Sequence, residues 1–234
     1  MSPARGSRRS PRRARPVEAV APSRGRFITF EGGEGAGKST QVELLVATLE
    51  RAGIRARATR EPGGSPAAEE IRELLVHGEA GRWQRLTEAL LHYAARAEHL
   101  ATVIRPALAR GEWVVSDRFA DSTVAYQGYG HQLGRKPIEA LHRLVVGDFA
   151  PDLTLILDLP VELGLTRAAR RPAAATRYER MGREFHQRLR RGFLDIARRE
   201  PRRCIIVDAS SDIETTARKV RAAVDARLGL KLSR

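Results

Sequence analysis

Residues 30–40 read FEGGEGAGKST. Gly32, four residues, then Gly37, Lys38 and Ser39 is the spacing of a phosphate-binding loop. RFITFE before it is a short apolar strand, and Val42, Leu45, Val46 and Leu49 after it mark one face of a helix. In that order, strand then glycine-rich turn then helix, successive backbone N–H groups point inward at phosphate oxygens. The helix N-terminus adds its positive end. Lys38 supplies a mobile charge, and the Ser39 hydroxyl is a ligand for Mg2+. The expected phosphate cradle is Gly32, Gly33, Glu34, Gly35, Ala36, Gly37, Lys38, Ser39 and Thr40, with a nucleoside triphosphate as the ligand. Glu31 and Glu34 place two carboxylates beside this anion site, and both require a reason.

The rest of the chain supplies the scaffold. IRARATRE reads as a second strand, broken by Pro62-Gly63-Gly64. Ser65 caps a helix expected to run to about His77. A long helical pattern passes through Leu86, Leu90, Tyr93, Ala97, Leu100, Ile104 and Leu108, with a kink expected at Pro106. EWVVSDR, DLTLILDL and RCIIVDA read as buried strands. A loop and a helix near 137–147 separate the first two. A basic stretch and a helix through Phe185, Leu189 and Leu194 separate the last two. Ile213, Ala217, Val220, Val224 and Leu228 share one face of a final helix.

Five short apolar strands alternating with helices imply an α/β fold of the P-loop NTPase type. It has three α/β/α layers around a five-stranded parallel sheet. Ligands are expected at the carboxyl ends of the strands. The 234 residues suit one such domain over 26–230, with a small arginine-rich lid at about 167–181.

The formal net charge is +14, and eight arginines fall in residues 1–26 against Glu18 alone. Residues 1–25 are expected to form a disordered basic tail, whose charge touches nucleic acid only nonspecifically. No apolar run approaches the about 20 residues that span a bilayer, and no secretory signal is visible. Cys204 is the only cysteine, which excludes an internal disulfide. A cytoplasmic protein is expected.

A phosphate loop alone does not say which reaction follows. The guanine-reading Asn-Lys-x-Asp of GTPases is absent. A small domain with many arginines suits a kinase of small molecules, because arginines neutralise two phosphorylated ligands brought together. Asp117 closes a buried strand where a carboxylate approaches Mg2+ or its water shell. Arg118 follows and points into the same crevice.

The phosphate loop, TREPGG (59–64), LLHYAARAEH (90–99), SDRFADSTVAYQG (116–128) and the arginine-rich stretch 167–192 resemble the bacterial thymidylate kinases, the dTMP kinase family. The similarity runs from about Phe27 to Leu228. It implies transfer of the γ-phosphoryl of ATP, with Mg2+, to dTMP, giving dTDP and ADP in dTTP biosynthesis, by a homodimer. It implies that Glu34 faces the 3′-hydroxyl of the acceptor. It likewise implies that Arg96 and Arg118 clamp phosphate, and that Thr123, Tyr126 and Gln127 wall the thymine and sugar. Arg60 and Pro62 fall in a loop over the acceptor. Ser39 and Asp117 form the metal set. Lys38 and Arg118 are expected catalytic groups. Because the loop holds no cation between Gly32 and Gly37, the lid is expected to supply a catalytic arginine from Arg170, Arg171 and Arg177.

Two positions depart from the family pattern. His92 stands where a phenylalanine stacks on the base, and Thr176-Arg177-Tyr178-Glu179 replaces Asp-Arg-x-Glu. The alternatives are another P-loop nucleotide or deoxynucleoside kinase with relaxed base choice, and a degenerate kinase domain with a nucleic-acid-binding tail.

Overall fold

A computed structural model describes residues 24–79, 81–170 and 176–232. The expected basic tail, save Arg24 and Gly25, lies outside the described residues. So does the middle of the expected lid, Arg171 included.

Five strands form one parallel sheet: β1 (Phe27–Gly32), β2 (Ala56–Arg60), β3 (Trp113–Asp117), β4 (Leu153–Asp158) and β5 (Cys204–Asp208). Their spatial order is β2-β3-β1-β4-β5. The central β1 is buried along its whole length, as a strand covered on both faces must be. Strand alternation splits its side chains. Ile28 and Phe30 join Leu45 and Leu49 of α1 (Lys38–Arg51) and Val220 and Val224 of α9 (Ile213–Leu228). Phe27 packs to the other face with Tyr93, Ile104, Val114 and Phe119. Phe30 pairs in register with Asp117, so the ends of β1 and β3 open onto one crevice.

The expected long helix is α3 (Arg85–His99), then a π-helical segment Leu100–Ile104, then α4 (Arg105–Ala109). Pro106 has no N–H to donate, and the wider turn before it takes up the mismatch without a break. Two expectations need correction. The stretch after Phe119, expected as a loop, is α5 (Ala120–Thr123) and a π-helical segment Val124–Gly130. The basic stretch after β4 begins as a helix, α7 (Val161–Ala169). The remaining helices are α2 (Pro66–Val76), α6 (Arg135–Val145) and α8 (Arg183–Arg199). Ser65 occupies the N-cap position of α2 but makes no side-chain cap bond. Asp212 caps α9 through Thr215 N at 2.8 Å.

Candidate active site

The phosphate loop leaves β1 and packs against α7 backbone to backbone. A Cβ on Gly35 would meet Gly164 O at 2.0 Å, and one on Gly164 would meet Glu34 O at 2.5 Å. Only a glycine pair permits that approach. Gly37, at φ 83°, sits at the N-cap of α1 in a conformation that L side chains rarely adopt. Lys38 is 7% exposed and lies back over the loop, donating to Gly33 O at 2.7 Å and Gly32 O at 3.2 Å. Burial, then the charge of Arg118, lowers its pKa to about 8.

The two loop carboxylates separate. Glu31 is fully buried beneath the loop, where it accepts from Phe119 N at 2.8 Å and Ser122 Oγ at 2.5 Å. It ties β1 to the segment after β3 and does not line the cavity. Burial, and then Asp121, raises its pKa to about 8. Glu34 instead lines the cavity and accepts from Tyr126 OH at 2.6 Å and Arg118 Nη2 at 3.2 Å. Burial works to raise its pKa, but Arg118 and Lys38 outweigh burial and hold it at about 2.

Arg118 adopts φ 72°, a left-handed conformation that costs a non-glycine residue energy. Its backbone N–H bonds Phe30 O at 2.9 Å. Its guanidinium donates to Gly32 O at 2.9 Å and lies 4.8 Å from the centre of the Tyr126 ring. The strained turn therefore delivers a cation to the junction between phosphate loop and cavity. Beside it, Ser39 donates to Asp117 Oδ2 at 2.5 Å, and Asp117 Oδ1 is buried with no partner among the described residues. One hydroxyl and one carboxylate with a vacant oxygen suit a hard cation that takes its other ligands from phosphate and water. Mg2+ fits this pair.

The cavity next to the loop measures about 370 Å³. Residues Gly35 to Thr40 of the loop form one side of it, and Gly32 and Gly33 line a small neighbouring hollow. Arg60 and Pro62 stand at its rim. Arg60 is half-exposed and pairs with Glu69 at 3.1 Å, while Pro62 O accepts from Arg72 at 2.6 Å. Asp117, Arg118, His92, Arg96, Thr123, Tyr126 and Gln127 all line the same space. Arg96 is held by Glu61 at 2.8 Å, Thr123 Oγ1 at 3.0 Å and Phe119 O at 3.1 Å, leaving Nη1 without a partner among the described residues. His92 is half-buried and meets Tyr178 OH at 2.9 Å. Burial lowers its pKa to about 3, so the ring is neutral.

The expected lid arginines diverge. Arg170 is exposed at the C-terminal end of α7. Arg177 is not a solvent-facing lid cation: it is fully buried, donating to Glu88 at 2.5 Å, Tyr178 OH at 3.0 Å and Leu75 O at 3.1 Å. Sequence reasoning missed Glu88, Tyr178 and Arg72. Glu88, His92, Arg96 and His99 lie on one helix face at spacings of four, four and three, and that polar stripe on a buried helix was the available signal.

The thymidylate kinase family model matches residues 30–220. The chain is 56% identical to the thymidylate kinase of Caulobacter vibrioides, over 89% of this chain and 100% of that one. It is 51% identical to the thymidylate kinase of Nitrobacter hamburgensis, over 88% and 90% of the two chains. It resembles the crystal structure of thymidylate kinase from Ehrlichia chaffeensis with a TM-score of 0.70 and 36% identity, covering 86% of this chain and 98% of that one.

Proposed function

The chain belongs to the thymidylate kinase family, and from that premise we propose how its cavity passes a phosphoryl group from ATP to dTMP, giving dTDP and ADP. The observation that carries the reading is the position of Arg118. Its guanidinium bonds the phosphate loop at Gly32 and the cavity at Glu34, so it lies between donor and acceptor.

The loop amides and Lys38 hold the β- and γ-phosphates of ATP. Ser39 and Asp117 would hold Mg2+, which when bound would supply positive charge to offset that of the phosphates. The acceptor lies in the cavity with its base between His92, Thr123, Tyr126 and Gln127. Glu34, ionised, accepts from the 3′-hydroxyl of the sugar. Arg60, Arg96 and Arg118 face its phosphate. As the γ-phosphoryl group passes over, Arg118 and Lys38 stay beside the charge that spreads over its oxygens. Arg170, exposed at the end of α7, is the lid cation assigned to this task, while Arg167 of the same helix lines the cavity. Arg177, committed to Glu88, serves the cavity wall instead. Catalysis is then mostly positioning and charge neutralisation.

Three further features belong to the same reading. The chain works as one domain over 26–230 and in the cytoplasm. Among the described residues no helix is long and apolar enough to cross a membrane. Leu74 of α2 and Leu86 and Leu90 of α3 are exposed, and they form the face through which two copies pair. An acceptor panel of dTMP, dUMP, dCMP, AMP and thymidine, read as ADP release with ATP, tests the assignment. Highest kcat/KM for dTMP supports it, and preference for thymidine or AMP overturns it.

A further inference from the structure

Glu88 of α3 is 1% exposed and stands behind the cavity wall without lining it. Its carboxylate gathers donors from distant parts of the chain. Gln127 Nε2 reaches it at 2.7 Å, Arg177 Nη2 at 2.5 Å and Tyr178 OH at 3.1 Å. His131 Nε2 lies 3.2 Å away. Burial works to raise the pKa of Glu88. His131 beside it and the charge of Arg177 outweigh burial and hold it at about 2.

An ionised carboxylate only accepts hydrogen bonds, so it fixes the polarity of each neighbour. Gln127 turns its NH2 group to Glu88. Its Oε1 is left buried without a partner among the described residues, in a side chain that lines the cavity. Tyr178 gives its single proton to Glu88. Its oxygen then accepts from Arg177 Nη2 at 3.0 Å and from His92 Nε2 at 2.9 Å. The neutral His92 ring therefore carries its proton on Nε2.

We infer that Glu88 is a positioning residue for base choice: by drawing the amide N–H of Gln127 away from the cavity, it leaves the wall an acceptor for a base that offers a ring N–H. Thymine and uracil carry a proton on their N3 atom, whereas cytosine carries a lone pair there. The inference rests on the acceptor being a nucleoside monophosphate bound in this cavity. It adds a residue that touches neither substrate.

The test is Glu88→Gln. The new carboxamide offers its own NH2, which lets Gln127 turn over and show its N–H to the base. One hydrogen bond is then lost with dTMP and one gained with dCMP. Each is worth about 1 kcal/mol, so the ratio of kcat/KM for dCMP to that for dTMP rises about tenfold or more. In a Gln127→Leu background the same substitution leaves that ratio unchanged. Because Glu88→Gln removes the carboxylate that faces the buried charge of Arg177, the double variant Glu88→Gln with Arg177→Met provides the same readout without that charge. An unchanged ratio in both variants overturns the inference. In the wild-type protein, 15N chemical shifts of the His92 ring should report the Nε2–H tautomer, and the Nδ1–H tautomer overturns the inference on its own. Wild-type protein that fails to phosphorylate dTMP at all overturns the functional reading instead, so the two failures are separable.

Discussion

Ser39 at the start of α1 donates its hydroxyl to Asp117 at the end of β3 across 2.5 Å, while the second oxygen of Asp117 is buried with no partner among the described residues. The parallel register of β1 with β3 fixes that meeting, because it sets Phe30 beside Asp117 and brings both strand ends to one crevice. If this pair holds Mg2+, Asp117→Asn weakens the apparent Mg2+ affinity by ~10–100-fold, the cost typical of a disturbed metal shell. Activity titrated against Mg2+ measures it, and an unshifted midpoint contradicts it.

Lys38 is the loop cation, and its pKa in the free protein is lowered to about 8, first by burial and then by Arg118. The kcat/KM for ATP reports ionisations of the free enzyme. It should therefore fall as pH rises through about 8, as the ammonium loses its proton. Lys38→Ala should lower kcat by ~10²–10³, the scale for one lost charge-stabilising donor, with the fold intact by circular dichroism. A flat profile from pH 7 to 9 contradicts this role.

Arg170 and Arg177 of the lid should separate in experiment. Arg177 and Glu88 form a fully buried ion pair, and removing one partner of such a pair costs ~3–5 kcal/mol. Arg177→Ala should therefore lower the melting temperature by on the order of 10 °C. Arg170 is exposed, so Arg170→Ala should leave the melting temperature unchanged and lower kcat by ~10³ or more if it is the lid's catalytic cation. Equal effects on melting temperature would contradict the burial contrast.

Glu31 gives a pH dependence of opposite origin. Burial and Asp121 raise its folded pKa from 4.5 to about 8, so the folded state holds this proton more tightly than the unfolded chain does. The resulting stability is present below 4.5 and is lost as pH rises through about 8. Glu31→Gln removes the titration and keeps an acceptor for Phe119 N. The melting temperature of this variant should fall less than that of the wild type between pH 5 and 8. Parallel curves would contradict the assignment.

Leu86 and Leu90 are about half-exposed on α3, an arrangement that costs a lone chain apolar contact with water. Leu90→Glu should convert a dimer to a monomer in sedimentation velocity. A wild-type protein that sediments as a monomer at micromolar concentration would contradict the proposed pairing.

Much of this molecule was legible in the residues. Strands β1, β3, β4 and β5 are short, mainly apolar runs, as strands of a covered parallel sheet are, whereas the edge strand β2 reads ARATR and is only partly buried. FEGGEGAGKST announced the loop because only glycine tolerates the contact between Gly35 and Gly164. Other features depend on partners far along the chain. Arg170 and Arg177 look alike in sequence. Their difference is set by Glu88, which lies 89 residues from Arg177. Glu31 and Glu34 are likewise the same residue type three positions apart, yet one ties the sheet below the loop and the other faces the cavity. The helical stretch after Phe119 was hidden by AYQGYG, whose two glycines read as a loop, although packing against α8 holds it helical.

The most direct measurement is a product balance. The purified protein, given ATP, Mg2+ and dTMP, should yield dTDP and ADP in equal amounts when nucleotides are resolved by ion exchange, with both formed ~10²–10³-fold more slowly by Lys38→Ala. ADP released without dTDP, or no turnover of dTMP, would contradict the transfer of phosphate across Arg118.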